Sequence, residues 1–131
     1  MRRPVSKTLG GLISEIASSM PSHPFLVDGE RRWSYAEFRK DVVSLAKGLH
    51  QIGVRPNDKV GVLMGNQAEW ILTIFAATSL GAVAVCMNTW WKSRELRYAL
   101  ATADVSVLVM IDRYLGTDYA AAIGDLEQMR N

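Results

Sequence analysis

The sequence predicts an α/β protein in which a helix and a small β-hairpin precede a layered αβαβαβα unit with parallel strands. Two observations support this prediction. Three short, almost continuously apolar segments alternate with stretches of helical periodicity. Several of these helical stretches begin at a capping residue or end at a glycine, as helices joined to strands do. Parallel strands joined by helices cross over right-handedly, which gives one layered unit.

The first half of the chain predicts a helix, a hairpin and a second helix. The first helix is predicted from apolar residues at helical spacing, namely Leu9, Leu12, Ile13, Ile16 and Met20. Pro21 ends it. The turn signal Asp28-Gly29 lies between two apolar segments and predicts the hairpin. Ser34 and Glu37 then form the pattern of a capping box, which begins the second helix.

The second half predicts three parallel strands, of which the first, almost continuously apolar, is expected to be covered on both faces. The strands are Lys59–Met64, Ala82–Met87 and Ser106–Ile111. Asn66, with Glu69 three residues later, is predicted to cap the helix after the first strand. Gly53 and Gly81 are predicted to end the second and third helices in the left-handed conformation. Helical spacing predicts two more helices, one with Leu96, Ala99, Leu100 and Ala103 and one with Tyr119, Ile123, Leu126 and Met129.

Composition narrows the class of protein. The 131 residues correspond to one domain, and their net charge of +2 is too balanced to suggest a nucleic-acid partner. Cys86, the single cysteine, lies in an apolar run and is predicted to be a buried thiol in a reducing cytoplasm. Neither His23 nor His50 lies at metal-ligand spacing from another ligand type, so no metal site is predicted. The basic N-terminus lacks an apolar core, so we expect no secretory signal.

A run without charged residues extends from Trp70 to Trp91 and permits two interpretations. Its length and its flanking tryptophans are compatible with a membrane span. Asn66 and Glu69 instead predict a capped helix start, and Gly81 follows one helix length later. The valines after Gly81 favour a strand. These signals favour the interior of an α/β domain and disfavour a membrane partner.

Two segments of the chain resemble a known protein family. They are FLVDGERRWSYAEFRKDVVSLAKGLHQIGVRPNDKVGVLMGNQAEW and LGAVAVCMNTWWKSRELRYALATADVSVLV. The first resembles the opening pattern of AMP-forming acyl-CoA synthetases, a strand followed by a Thr/Ser-Tyr-x-Glu helix start and a GV-x-P-x-D-x-V run. The second is similar to the family's GA-V-x-x-P-x-N segment and the EL-x-x-x-L helix after it. From about Leu9 onward, the chain resembles the N-terminal part of this adenylate-forming family of AMP-dependent synthetases and ligases.

The resemblance implies a fold, that of the N-terminal subdomain of adenylate-forming enzymes, with residues 1–131 as a single partial domain. It also implies a function, because the full-length family uses ATP and Mg²⁺ to join a carboxylic or fatty acid to CoA. The 131 residues lack the family's phosphate loop, Tyr-x-x-Thr-Glu segment, ribose-binding aspartate, hinge and catalytic lysine. We therefore expect no catalytic residue here, and no binding of ATP, Mg²⁺ or CoA by this chain alone.

Five residues form the candidate substrate- or partner-binding set. Asn66 and Asn88 follow two predicted parallel strands at their carboxyl ends, where open α/β sheets bind ligands. Their alternative roles are a helix N-cap for Asn66 and a loop turn for Asn88. Thr89, Trp90 and Trp91 complete the set. Two adjacent tryptophans are not easily buried together, so we expect one of them to be exposed.

Three hypotheses for function follow. The first is the N-terminal part of a cytoplasmic acyl-CoA synthetase, inactive alone, whose partner is the remainder of the synthetase. The second is a non-catalytic interaction module that pairs through an open sheet edge, for example with a second copy of the chain. The third is a small membrane-anchored protein. Because apolar strands are left incompletely covered in the first two cases, we expect the isolated chain to associate.

Overall fold

The computed structural model describes residues 3–128. The chain folds into α1 Leu9–Ser19, β1 Pro24–Asp28, β2 Arg31–Ser34, α2 Tyr35–Gln51, β3 Lys59–Leu63, α3 Ala68–Ser79, β4 Val83–Cys86, α4 Ser93–Thr102, β5 Val107–Met110, β6 Arg113–Tyr114, β7 Thr117–Asp118 and α5 Tyr119–Gln128. The predicted α/β class is confirmed, with a helix and a hairpin before alternating helices and strands. Of the last predicted helix, the Leu126 side chain and Met129 lie outside the described residues.

Three parallel strands form the central sheet in the order β4-β3-β5. In this sheet, Val60 of β3 lies beside Ala84 of β4 and Val107 of β5. The middle strand is covered, since Val60, Val62 and Leu63 have no exposed surface. The outer strands β4 and β5 are only partly covered. The predicted cover of both faces of β3 is confirmed, whereas β4 and β5 lie at the edges of the sheet.

The helices lie on both faces of the sheet because the two strand-to-strand connections run in opposite directions across it. It runs from β3 through α3 to β4 on one side, and then through α4 back across to β5 on the other. On one face, α2 and α3 pack around a cluster that includes Leu49 and Val60. On the other face, α4 and the start of α5 pack around Leu63 and Met87. This arrangement is a small doubly wound α/β unit.

Three helices end in the same way before a strand. After α2, α3 and α4 the backbone takes positive φ at Gly53, Gly81 and Asp104, with values of 107°, 75° and 53°. In each case the next amide returns to the last helical turn, as Ala82 N does to Ala77 O at 3.1 Å. This is the Schellman motif. The two glycine ends were predicted, whereas Asp104 carries no comparable signal because aspartate adopts this conformation only occasionally.

The sequence pattern did not predict a short hairpin, β6–β7, between β5 and α5. Its turn residues Leu115 and Gly116 have φ values of 46° and 79°, the signature of a type I′ turn. Arg113 pairs with Asp118 across the hairpin, and their side chains form an ion pair at 3.0 Å. Two-residue strands are too short to show an alternating pattern, so Gly116 was the available signal.

The uncharged run between Trp70 and Trp91 is divided between α3, the turn at Gly81, β4 and the loop after it. Its interpretation as a helix, a turn and a strand is confirmed. Within residues 3–128, no helix combines the length and the apolar character that a membrane crossing requires.

Candidate functional site

The three parallel strands end at one edge of the sheet, and the loops there carry the candidate binding residues. At this edge, β3 ends at Leu63, β4 at Cys86 and β5 at Met110. The loops after β3 and β4 lead to helices on opposite faces, which creates the switch point at which open α/β sheets bind ligands. Asn66 lies in the loop after β3, and residues 88–91 lie in the loop after β4.

Asn66 does not cap α3, so that prediction was wrong. The N-cap residue is Gln67, and its own side chain makes no cap hydrogen bond. Asp28 at the end of β1 supplies the acceptor instead, because its Oδ2 accepts a hydrogen bond from Ala68 N at 3.0 Å. A residue distant in the sequence thus satisfies an amide at the helix start, and Asn66 is left exposed. Its binding role stays a prediction.

An ion-pair network fastens the β1–β2 hairpin to the first turn of α3. The Arg31 guanidinium contacts the carboxylates of both Asp28 and Glu69. The hydrogen bond from Ala68 N, and after it the one from Arg31, holds the pKa of Asp28 below its ordinary value of 3.8. Arg31 likewise lowers the pKa of Glu69. The hairpin therefore helps to fix the β3–α3 loop, which carries Asn66.

Asp28→Asn is expected to lower the melting temperature at neutral pH and to have a smaller effect in acid. Because the folded-state pKa of Asp28 is below 3.8, its stabilising contribution is complete above that pH and is lost as the pH falls through the folded-state value. Melting curves between pH 2 and pH 7 measure this difference. Glu30→Gln is the matched control, since it removes a carboxylate from the same hairpin without touching Ala68. An equal effect of both substitutions at pH 7 contradicts a stabilising role of the Asp28 charge.

The loop after β4 is a closed turn that presents one tryptophan to solvent. Asn88 Oδ1 accepts a hydrogen bond from Trp90 N at 2.9 Å, and Asn88 O accepts one from Trp91 N at 3.2 Å. Trp90 is 76% exposed, whereas Trp91 packs against the cluster around Leu63. The loop-turn role of Asn88 and the exposure of one tryptophan are confirmed, and the binding role of these residues stays a prediction.

The β6–β7 hairpin and the residue after it contact both loops. The Tyr114 ring packs on Gly65, so closely that a β-carbon at Gly65 would lie 2.3 Å from the ring. The Tyr119 hydroxyl donates a hydrogen bond to Thr89 O at 2.5 Å. Within residues 3–128, no hydrogen bond joins Asn66 to the loop after β4. The candidate residues thus lie on two neighbouring loops, and sequence reasoning missed the residues that hold those loops.

A groove of about 610 Å³ lies between the edge strand β4 and α4. Its lining includes Val85, Met87, Trp91, Arg94, Tyr98 and Ala99. Apolar side chains dominate this lining, and Arg94 and Glu95 add charged groups. The volume of the groove is in the range of small-molecule sites. Among the described residues, no strand pairs with the outer side of β4, so that side is open to a strand from elsewhere.

Cys86 is exposed, so the prediction of a buried thiol was wrong. The apolar run that contains it forms an outer strand, which nothing in residues 3–128 covers on its far side. Partial burial nevertheless raises the pKa of the Cys86 thiol. A raised pKa disfavours the thiolate, which is the nucleophilic form.

Acidic and metal-binding side chains are dispersed in the described part of the chain. Within residues 3–128, no three side chains of His, Cys, Asp or Glu lie close enough together to hold a metal ion. Asp112 follows β5 at the same edge as the candidate residues, is exposed, and accepts a hydrogen bond from Arg113 N at 2.9 Å.

Comparison with known proteins gives consistent matches. A family model described as AMP-binding enzyme matches residues 13–130. The putative acyl-CoA synthetase YngI of Bacillus subtilis is 33% identical over 124 residues, which cover 93% of this chain and 23% of that protein. The feruloyl-CoA synthase of an Amycolatopsis species is 40% identical over 93 residues, covering 71% of this chain and 19% of that protein. The chain thus spans less than a quarter of the length of these relatives.

The fold also has solved counterparts. The inhibitor-bound N-terminal domain of FACL13 from Mycobacterium tuberculosis is similar with a TM-score of 0.83 and 26% identity. That match covers 93% of this chain and 30% of the other. The predicted likeness to the N-terminal subdomain of adenylate-forming enzymes is confirmed.

Proposed function

The chain belongs to the AMP-binding enzyme family, and we propose that it is the N-terminal part of an acyl-CoA synthetase. The observation that supports this most directly is the match to a solved N-terminal domain over 93% of the chain. The proposed whole enzyme joins a carboxylic acid to ATP, which gives an acyl-adenylate and diphosphate. It then transfers the acyl group to the CoA thiol and releases AMP. We propose that this takes place in the cytoplasm.

In this proposal the chain supplies the scaffold and one wall of the approach for the acyl group or CoA. The wall consists of Asn66, Asn88, Thr89, Trp90 and Trp91. Their position supports this role, because they follow the carboxyl ends of parallel strands, where open α/β sheets bind ligands. The exposed Trp90 indole offers a flat apolar surface for contact. The residues that bind ATP and Mg²⁺ are proposed to lie in the remainder of the synthetase.

The proposed partner is that remainder, which would cover the open side of β4 and the groove beside it. Val83 on β4 is 49% exposed, and the groove lining is mainly apolar. Surfaces of this kind are normally covered by another element or another chain. The same observation favours the second candidate function, a non-catalytic interaction module that pairs through β4.

The 131-residue chain alone is expected to catalyse no carboxylate-dependent exchange of labelled diphosphate into ATP. It lacks a phosphate loop and its lysine, so the phosphate charge has no stabilising contacts. The same chain joined to an in-frame coding continuation with such a loop is expected to catalyse the exchange. Replacing the lysine of that loop by alanine provides the control. Exchange by the isolated chain above a no-protein blank contradicts the proposal, and a gene without any continuation favours the interaction module.

A further inference from the structure

The internal bonds of the loop after β4 do not by themselves fix its position on the sheet. The hydrogen bonds from Trp90 N and Trp91 N both return to Asn88 in the same loop. They close a local turn, as asparagine commonly does. A turn closed on itself still needs a contact with another element to hold its direction. That contact fixes the backbone from which the exposed Trp90 side chain projects.

Tyr119, the first residue of α5, provides such a contact. Its side chain is fully buried, and its hydroxyl donates to Thr89 O, in the middle of the loop, at 2.5 Å. The two residues are thirty positions apart, so the bond joins separate parts of the chain. A second link, from Lys92 Nζ to Thr117 Oγ1, is exposed and longer, at 3.4 Å. Hydrogen bonds of that length and exposure contribute less.

Tyr119 is itself held in place. Its backbone N donates to Asp112 O at 2.8 Å, and its ring belongs to the buried cluster with Leu63, Met87 and Leu96. The Asp118 carboxylate accepts from Ala121 N at 2.9 Å and so caps the helix that Tyr119 begins. Burial raises the pKa of the Tyr119 hydroxyl, which keeps it protonated and able to donate.

We propose that Tyr119 is a positioning residue, which holds the loop of residues 88–91 and thereby fixes Trp90 for contact with a ligand at the carboxyl edge of the sheet. A loop whose backbone is already held in position loses less conformational entropy when a ligand binds. The ligand role of Trp90 rests on the proposed function. The hydrogen bond from Tyr119 and its effect on the loop are independent of the proposed function.

Tyr119→Phe tests the proposal, because it keeps the buried ring and removes the bond to Thr89. Hydrogen exchange of backbone amides is followed by mass spectrometry in the 131-residue chain. We expect the amides of Trp90 and Trp91 to exchange about tenfold faster, as loss of one hydrogen bond predicts. Exchange in β3 and α2 is expected to stay at the wild-type rate. Tyr114→Phe is the matched control, since it removes a hydroxyl from the same cluster and leaves the Thr89 bond intact.

Two results overturn the proposal. One is unchanged exchange at Trp90 and Trp91 in Tyr119→Phe, which means that the bond does not hold the loop. The other is an equal rise in β3 and α2, which means that Tyr119 only stabilises the whole fold. The measurement requires no catalysis, so a failure of the proposed synthetase function in diphosphate exchange is distinguishable from a failure of this inference.

Discussion

Gly65→Ala lowers the free energy of unfolding by about 1–3 kcal/mol, as insertion of an atom into a packed site predicts. Gly65 is buried in the loop after β3, and an added β-carbon would lie 2.3 Å from the Cε2 and Cζ atoms of Tyr114. The ring has little room to retreat, because it packs against the buried cluster around Leu63 and Tyr119. Either the loop or the β6–β7 hairpin has to move.

Gly48→Ala is the matched control and changes stability in the opposite direction. Gly48 lies within α2, and outside the backbone of its own helix and its two chain neighbours no atom lies within 4 Å of a β-carbon added there. Alanine in a helix is expected to raise the free energy of unfolding by about 0.5–1 kcal/mol. Denaturant unfolding curves measure both effects. Wild-type stability of Gly65→Ala, with the expected gain for Gly48→Ala, contradicts the close packing of Tyr114 on Gly65.

Helix boundaries were the part of the fold that the sequence predicted best, because their signals are local. The capping box of Ser34 and Glu37 forms with both of its hydrogen bonds. Gly53 and Gly81 take positive φ at the ends of their helices. In each case, the residues that satisfy the helix end lie within a few positions of it. A local pattern is then sufficient.

The exceptions depend on contacts between distant residues. Ala68 at the start of α3 is bonded to Asp28, forty residues away, and this left the predicted Asn66 cap unused. Cys86 was predicted to be buried because its strand is apolar. Its exposure follows from the place of β4 at the edge of the sheet. The apolar pattern predicts a strand but does not give its position among its neighbours.

The sequence predicted where the candidate binding residues lie, but it did not predict the contacts that hold their loops. Asn66 and Asn88 were placed at one sheet edge from the predicted strand ends alone, and the structure places them there. The contact of Tyr114 with Gly65 and the bond of Tyr119 to Thr89 both depend on the β6–β7 hairpin. Its two-residue strands left too little pattern to predict it.

The isolated 131-residue chain is expected to associate through the open edge of β4. In a parallel pair, alternate residues bond to the neighbouring strand. Val83 N and Met87 N donate toward the β3 side, at 2.8 Å and 2.9 Å. The amides of Ala84 and Cys86 therefore point away from β3. Within residues 3–128 no strand pairs with that side, and a row of unpaired amides is a template for another chain.

Cys86→Pro tests this contact, because proline removes one outward amide and leaves the bonds of β4 to β3 intact. Edge strands tolerate proline where the N–H faces solvent. Loss of one hydrogen bond from each copy is expected to weaken association by about tenfold or more. Cys86→Ser is the matched control, since it keeps the amide, removes the thiol and so excludes a disulfide-linked dimer. It is expected to associate as the wild type does.

Sedimentation velocity at micromolar concentrations measures the association of all three proteins. The wild type and Cys86→Ser should sediment above the mass of the 14.5 kDa monomer, and Cys86→Pro should shift toward it. Equal association of Cys86→Pro and Cys86→Ser would show that the outward amide of residue 86 does not make the contact. A wild-type monomer that unfolds cooperatively and binds no hydrophobic dye would contradict the open edge itself. Such a chain would cover its own apolar strands, and the proposal that a partner covers β4 would lose its support.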